Sequence, residues 1–190
     1  MWNAALFAVA LLSGHPLSGA SAGVEVAPAI PEIRIEVSLS DRQLRVFQGD
    51  ELTRSYPVAI GQDRYPTPTG DFRIARVIWN PRWVPPESEW AKDETAKEPG
   101  DPGNPMGKVK IFFQDPDYYI HGTDAEDSLG EAASHGCLRM ANADVVELAR
   151  MVMEHGGENR SPNWFQRIIN FVRSTEEVRL SEPIPLRVVT

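Results

Sequence analysis

Residues 108–142 read KVKIFFQDPDYYIHGTDAEDSLGEAASHGCLRMAN, and the change of pattern along them decides the fold. Lys108 to Phe113 and Tyr118 to His121 are short runs rich in β-branched and aromatic residues, set apart by Asp and Pro, and they read as strands. A Gly-containing loop then carries Cys137 up to Asn142, a good helix N-cap. From there Val145, Leu148, Ala149 and Val152 recur at helical spacing until Gly156-Gly157 stops the run.

Upstream the strand pattern repeats. Ile33, Ile35 and Val37 alternate with polar residues, and Leu44 to Gln48 follows Ser40-Asp41-Arg42 as the second arm of a hairpin. Arg54 to Ile60 and Asp71 to Ile78 are further strands. Downstream, Ser161-Pro162 opens a second helix with Phe165, Ile168, Ile169 and Val172 on its apolar side. Pro183 and Pro185 flank Ile184 before Leu186 to Val189, a pattern that suits an edge strand, where a missing amide donor is tolerated. Many strands and few helices imply a mainly β domain of two packed sheets, sandwich-like, with a few flanking helices. Between Trp79 and Met106, Pro81, Pro85, Pro86, Pro99, Pro102 and Pro105 prevent regular structure. A loop of this length suits a lid or binding loop, with Trp79, Trp83 and Trp90 either lining a groove or anchoring the loop on the core.

A chain of 190 residues suits one compact domain behind its leader. The net charge of -8 argues against nucleic acid or an anionic membrane surface as the main partner, since both reward clustered Lys and Arg. Ala4 to Leu12 is apolar but too short to cross a bilayer, and Ala20-Ser21-Ala22 supplies small residues where a signal peptidase cuts. Residues 1–22 therefore read as a signal peptide and 23–32 as a linker. No Lys or Arg precedes Arg34, which leaves a retained hydrophobic anchor as the alternative. No later segment is apolar enough to span a membrane, so an exported protein of the periplasm or cell wall is expected. Nothing in the sequence speaks to oligomeric state. A single Cys in an exported chain forms no internal disulfide, so Cys137 is either buried or used.

His121-Gly122-Thr123 and Ser134-His135-Gly136-Cys137 put two His and one Cys within seventeen positions. A thiol with a pKa of about 8.5 needs an imidazole to take its proton, and a third group to orient that imidazole. Gly136 lets a substrate carbonyl approach the backbone, where the amides of Gly136 and Cys137 would stabilise an oxyanion. A buried structural Cys with two neighbouring histidines is the plain alternative. A zinc site built from His121, His135 and Cys137 is another.

The stretch from Ile120 to Asn142 resembles the signature of the L,D-transpeptidase catalytic domain, or YkuD domain, in which His-Gly-Thr precedes Ser-His-Gly-Cys, a hydrophobic residue and Arg. Thr67 to Phe72 and Asn104 to Phe113 resemble further segments of that family, and the likeness runs from about Ile33 to Val189, so residues 33–190 read as the catalytic domain. The resemblance implies Cys137 as nucleophile, His121 as general base, the Gly122 carbonyl as the acceptor that holds the imidazole, and His135 as shaping the oxyanion region or contacting substrate. Arg139 would bind a substrate carboxylate or brace the loop through backbone carbonyls. Ser134, Thr123 and Asn142 would support the substrate-binding side through hydrogen bonds. No metal and no cofactor is implied. The expected substrate is a peptidoglycan stem peptide, with an amine as acceptor, or water in an L,D-carboxypeptidase. A wall-binding module without catalysis is the remaining alternative.

Overall fold

A computed structural model describes residues 32–170 and 173–190. The expectations placed on residues 1–31, and Val172 on the second helix, lie outside the described residues. No described helix is long and apolar enough to cross a membrane.

Period-two alternation builds the first meander. In β1 (Ile33–Ser38) Ile33, Ile35 and Val37 are buried, and in β2 (Gln43–Gln48) so are Leu44 and Val46. The turn between them runs through Arg42 in a left-handed conformation, and β3 (Glu51–Pro57) completes the meander. A two-residue β4 (Ile60–Gly61) leads to the long β5 (Gly70–Trp79). After the proline-rich loop come β6 (Val109–Gln114), β7 (Tyr118–Thr123), β8 (Ala132–Ser134) and β9 (Leu138–Ala141). Helices α1 (Asn142–His155) and α2 (Pro162–Asn170) precede β10 (Glu176–Val189).

Eight strands form one mixed sheet in the order β3-β2-β1-β10-β5-β6-β7-β9, and β4 pairs with β8 in a second, parallel sheet. The ends of the large sheet nearly meet. Ala59, just past β3, exchanges both backbone hydrogen bonds with Arg139 of β9, each 3.0 Å, so the sheet curls towards a closed barrel. The fold is thus mainly β with two flanking helices, its two sheets very unequal in size. Helix α1 lays Val145, Leu148, Ala149, Val152 and Met153 on the apolar face of the large sheet, against Ile111, Ile120, Leu138 and Met140.

Two local expectations are corrected. Leu186 to Val189 is not an edge: β10 lies between β1 and β5. Its prolines are tolerated because pairing with β5 shifts register between Arg179 and Ile184, and pairing with β1 begins only at Leu186, so the missing amides fall in a bulge and before the second ladder starts. Asn142 does not cap α1, whose N-cap is Ala141 without a side-chain bond. Its amide is drawn across to the strands instead, as described below.

The loop 80–107 is itself folded. Trp83 and Lys97 exchange both backbone bonds at 2.9 Å, and buried Asn104 donates to the Pro81 carbonyl at 2.8 Å and to that of Glu98 at 3.2 Å. Trp79 belongs to β5 and to the core, where its indole donates to the Met153 sulfur at 3.2 Å. Trp83 is a buried anchor of the loop, and Trp90 stays partly exposed.

Leu148 is fully buried where α1 meets the sheet. Leu148→Ala is expected to lower unfolding free energy by about 2–5 kcal/mol, read from urea denaturation; a loss under about 1 kcal/mol would mean that α1 is not part of the main core.

Candidate active site

Strands β7 and β9 run parallel and in register, Ile120 opposite Leu138 and His121 opposite Arg139. Ile120, Leu138 and Met140 point into the core, so the alternate residues share the outer face. Across β6, β7 and β9 that face carries one row of Lys110, His121 and Arg139, and a second row of Phe112 and Tyr119. Extending the ladder by one residue sets Cys137 opposite Tyr119. The fold therefore gathers His121 and Cys137 on one surface, one row apart, although sixteen positions separate them in the chain.

Glycine and Asn142 lock this register. A Cβ on Gly122 would meet Asn142 Oδ1 at 2.2 Å, and one on Gly107, whose φ is +59°, would meet both that oxygen and the Gly122 backbone. Asn142 Oδ1 accepts from the Lys108 amide at 2.9 Å, while its Nδ2 donates to the Thr123 carbonyl and to Asp124. The side chain ties the start of β6 to the end of β7. The Thr123 hydroxyl, buried, accepts from the Ala125 amide at 3.1 Å.

The turn that carries Cys137 is held from inside by Ser134. Its buried Oγ donates to the Cys137 carbonyl at 2.5 Å and accepts from the Gly136 amide at 3.1 Å. That amide is thereby engaged by the Ser134 hydroxyl. Gly136 has another necessity: its φ is +108°, and a Cβ there would lie 2.9 Å from the Tyr118 ring.

The thiol and imidazole do not share a hydrogen bond. Cys137 Sγ donates to the Asp117 carbonyl at 3.4 Å and also meets the amide and hydroxyl of Tyr119. Burial pushes its pKa up, while Tyr119 and then the charges of Lys110 and Arg139 pull it back. His121 is buried, with Nδ1 2.8 Å from the Gly122 carbonyl and the Pro105 carbonyl also facing the ring. Burial, against those carbonyls and aided by Arg139 and Lys110, pushes its pKa down to about 3, so the imidazole is neutral. With Nδ1–H donated to Gly122, the basic nitrogen is Nε2.

His135 lies between two aromatic rings. Trp90 stacks on it at 4.0 Å and 11°, and Tyr65 tilts against it at 4.9 Å. Burial, then Arg139 and Arg64, lowers its pKa. Trp90 is how the loop 80–107 reaches the site. The Arg139 backbone is fixed by Ala59, whereas among the described residues its guanidinium makes no hydrogen bond or ion pair, so the bracing expected of it falls to its main chain. No three of the described His, Cys, Asp and Glu side chains are grouped so that they could hold a metal ion.

Lys110 and Tyr119 escaped the sequence reading. Lys110 Nζ stands 4.5 Å over the Tyr119 ring, and burial lowers its pKa to about 8. Burial raises the Tyr119 phenol, with the neighbouring Cys137 adding to the shift. Their signal was the period-two alternation itself: Tyr119 is two residues before His121, and Lys110 is the one charged residue of β6.

Comparison with known proteins comes to the same place. The sequence model described as the L,D-transpeptidase catalytic domain, YkuD, matches residues 32–171. YkuD of Bacillus licheniformis, classed with the L,D-transpeptidases, is 35% identical over 152 residues, covering 75% of this chain and 79% of that one. Its counterpart in Bacillus subtilis is 32% identical over 151 residues with the same coverage. Among solved structures, the catalytic domain from E. faecium L,D-transpeptidase superposes with a TM-score of 0.53 at 16% identity, covering 84% of this chain and 98% of that one. L,D-transpeptidase 3 from Mycobacterium tuberculosis, in complex with a faropenem-derived adduct, gives 0.52 at 16% identity, covering 84% of this chain and 61% of that one. At such identities the structural likeness is one of fold.

The neutral His121 has a consequence for stability. An unfolded imidazole takes up its proton near 6.5 and the buried one only near 3, so the unfolded state binds more protons in between, and stability falls as pH is lowered across that window. Thermal unfolding of His121→Gln is expected to show a shallower loss from pH 6.5 to pH 4 than the parent; equal slopes would mean that His121 is solvated.

Proposed function

Because the chain belongs to the L,D-transpeptidase catalytic domain (YkuD) family, we propose that it acts on peptidoglycan stem peptides through a thioester on Cys137. The observation that carries this reading is the β7–β9 pairing, which puts a lone thiol and a neutral, oriented imidazole on one surface.

Cys137 Sγ attacks the carbonyl of the L-centre of the donor's third residue. Its proton passes to His121 Nε2, the carbonyl oxygen takes the negative charge, and collapse expels the terminal D-alanine, whose amine receives the proton from the imidazole. An acceptor amine then attacks the thioester and regenerates the thiol. The thiol is held above its ordinary pKa and the imidazole well below its own, so a resting ion pair is disfavoured. Proton transfer accompanies attack rather than preceding it. As the sulfur becomes acylated, the Tyr119 hydroxyl, one of the groups that already lowers the thiol's pKa, would donate to the developing oxyanion. The thioester conserves the energy of the broken amide, so no nucleotide is consumed. The reading of residues 1–22 as an export signal puts this chemistry in the compartment of its substrate.

Whether amine or water resolves the thioester depends on access. Trp90, stacked on His135 beside the nucleophile, supports a lid role for the loop 80–107.

Defined tetrapeptide muropeptides with an amine acceptor, analysed by mass spectrometry, are expected to yield free D-alanine and a cross-linked product, and Cys137→Ala to yield neither. Turnover surviving in Cys137→Ala would overturn the proposal. Trp90→Ala is expected to raise the ratio of hydrolysed to transferred product at least about threefold, as a water-excluding contact is lost. An unchanged ratio would remove the lid role while leaving the nucleophile untouched.

A further inference from the structure

The outer face around Cys137 holds more positive charge than its own residues balance. Lys110 and Arg139 flank His121 in one row of the sheet, and the Lys110 ammonium leans over the Tyr119 ring, towards the row that contains Cys137. Both are half-buried, and among the described residues neither side chain is in an ion pair. The contrast is local: Arg76, on the same face in the row of Phe112, is paired with both Asp115 and Glu177. The chain as a whole is acidic, with a net charge of -8, so carboxylates for pairing were not scarce.

Partly desolvated cations without partners are costly, and the reaction does not relieve them. Passing a proton from the thiol to His121 only moves charge within the site, and the sum over Lys110, Arg139, Cys137 and His121 stays at plus two. Moving the negative charge from sulfur to the carbonyl oxygen raises the sum over those four residues to plus three, and with the oxyanion on the substrate counted the site still carries plus two. The compensating anion must arrive with the substrate.

We propose that Lys110 and Arg139 form a seat for the free α-carboxylate of the donor's terminal, leaving residue, with Lys110 as the specificity-determining partner. This rests on the stem-peptide reading above and names what the site recognises in the donor. The position fits: the ammonium lies over Tyr119, which the strand register sets opposite Cys137, so the positive charge stands beside the thiol's row, where the donor's leaving residue would lie. On the leaving side, the α-carboxylate is the anionic group at that distance. Filling the seat also removes the repulsion that Lys110 and Arg139 exert on a protonated imidazole, so a correctly terminated donor makes His121 a better base when it is needed.

The test separates binding from chemistry. Cys137→Ala protein, carrying Lys110, Lys110→Met or Lys110→Arg, is titrated by calorimetry with a stem tetrapeptide ending in free D-alanine and with the same peptide ending in D-alaninamide. With Lys110 the acid is expected to bind about tenfold tighter than the amide, the size of one charge-assisted hydrogen bond. Lys110→Met should bring the two within about twofold by weakening the acid alone, and Lys110→Arg should keep the preference. A preference that survives Lys110→Met, equal weakening of both peptides, or no measurable binding of the acid overturns the seat. The parent enzyme is then assayed for D-alanine release from the acid. Selective binding without release would leave the seat standing and overturn the transpeptidase reading instead.

Discussion

The parallel pairing of β7 with β9 is the constraint on which the site depends. A one-residue slip would turn Ile120, Leu138 and Met140 out of the core and carry the Arg139 guanidinium and the His121 imidazole into it, exposing several apolar side chains and burying a charge. Hydrophobic burial thus sets the register, and the register sets the chemistry. Gly122, Gly107 and Asn142 add a local lock, since Asn142 Oδ1 fills the space that a side chain at either glycine would need. An asparagine that looks like a helix cap is spent on this lock because α1 begins where β6 and β7 come together, and the unpaired Lys108 amide is a better partner than the helix's own first turn.

Burial acts on the thiol and the imidazole in opposite senses, and the neighbours decide what remains. Desolvation raises Cys137 and depresses His121, keeping both neutral. Lys110 and Arg139 favour the thiolate but oppose the imidazolium, so they assist one half of the proton transfer and hinder the other. The thiol and imidazole therefore rest uncharged, and on the proposed reading the pair becomes competent when the substrate's anion enters, so that the site is gated by its substrate's charge rather than poised as a standing ion pair.

Much of this was legible in the sequence because it is local. Alternation in Ile33, Ile35 and Val37, the helical spacing of Val145, Leu148, Ala149 and Val152, and the Pro-rich break after Trp79 each report their own surroundings. What was not legible is non-local. The position of β10 in the middle of the sheet depends on which strands flank it, and Pro183 and Pro185 argue for an edge unless the bulge and the late start of the β1 ladder are known. The four residues of β9 are too few to announce a strand beside a glycine-containing turn. Lys110 and Tyr119 become part of the site only through cross-strand registers with His121 and the Cys137 row, and no spacing in the chain encodes those.

The loop 80–107 is built so that the lid role proposed for it needs only its tip to move. Its base is fastened by the Trp83–Lys97 backbone pair and by Asn104, whose amide bridges Pro81 and Glu98. Through Trp90 on His135 its tip touches the turn that carries Cys137, and no backbone hydrogen bond of the loop crosses to residues 134–137 among those described. Opening the tip therefore breaks an aromatic stack worth about 0.5–1.5 kcal/mol beyond its buried area, while the folded base stays intact. A barrier of that scale is small beside the binding energy of a peptide, so the incoming donor can displace Trp90 without unfolding the loop. On the proposed reading, the same stack re-forms over the thioester once the leaving residue has gone and discriminates against water by occupying the space through which water would enter.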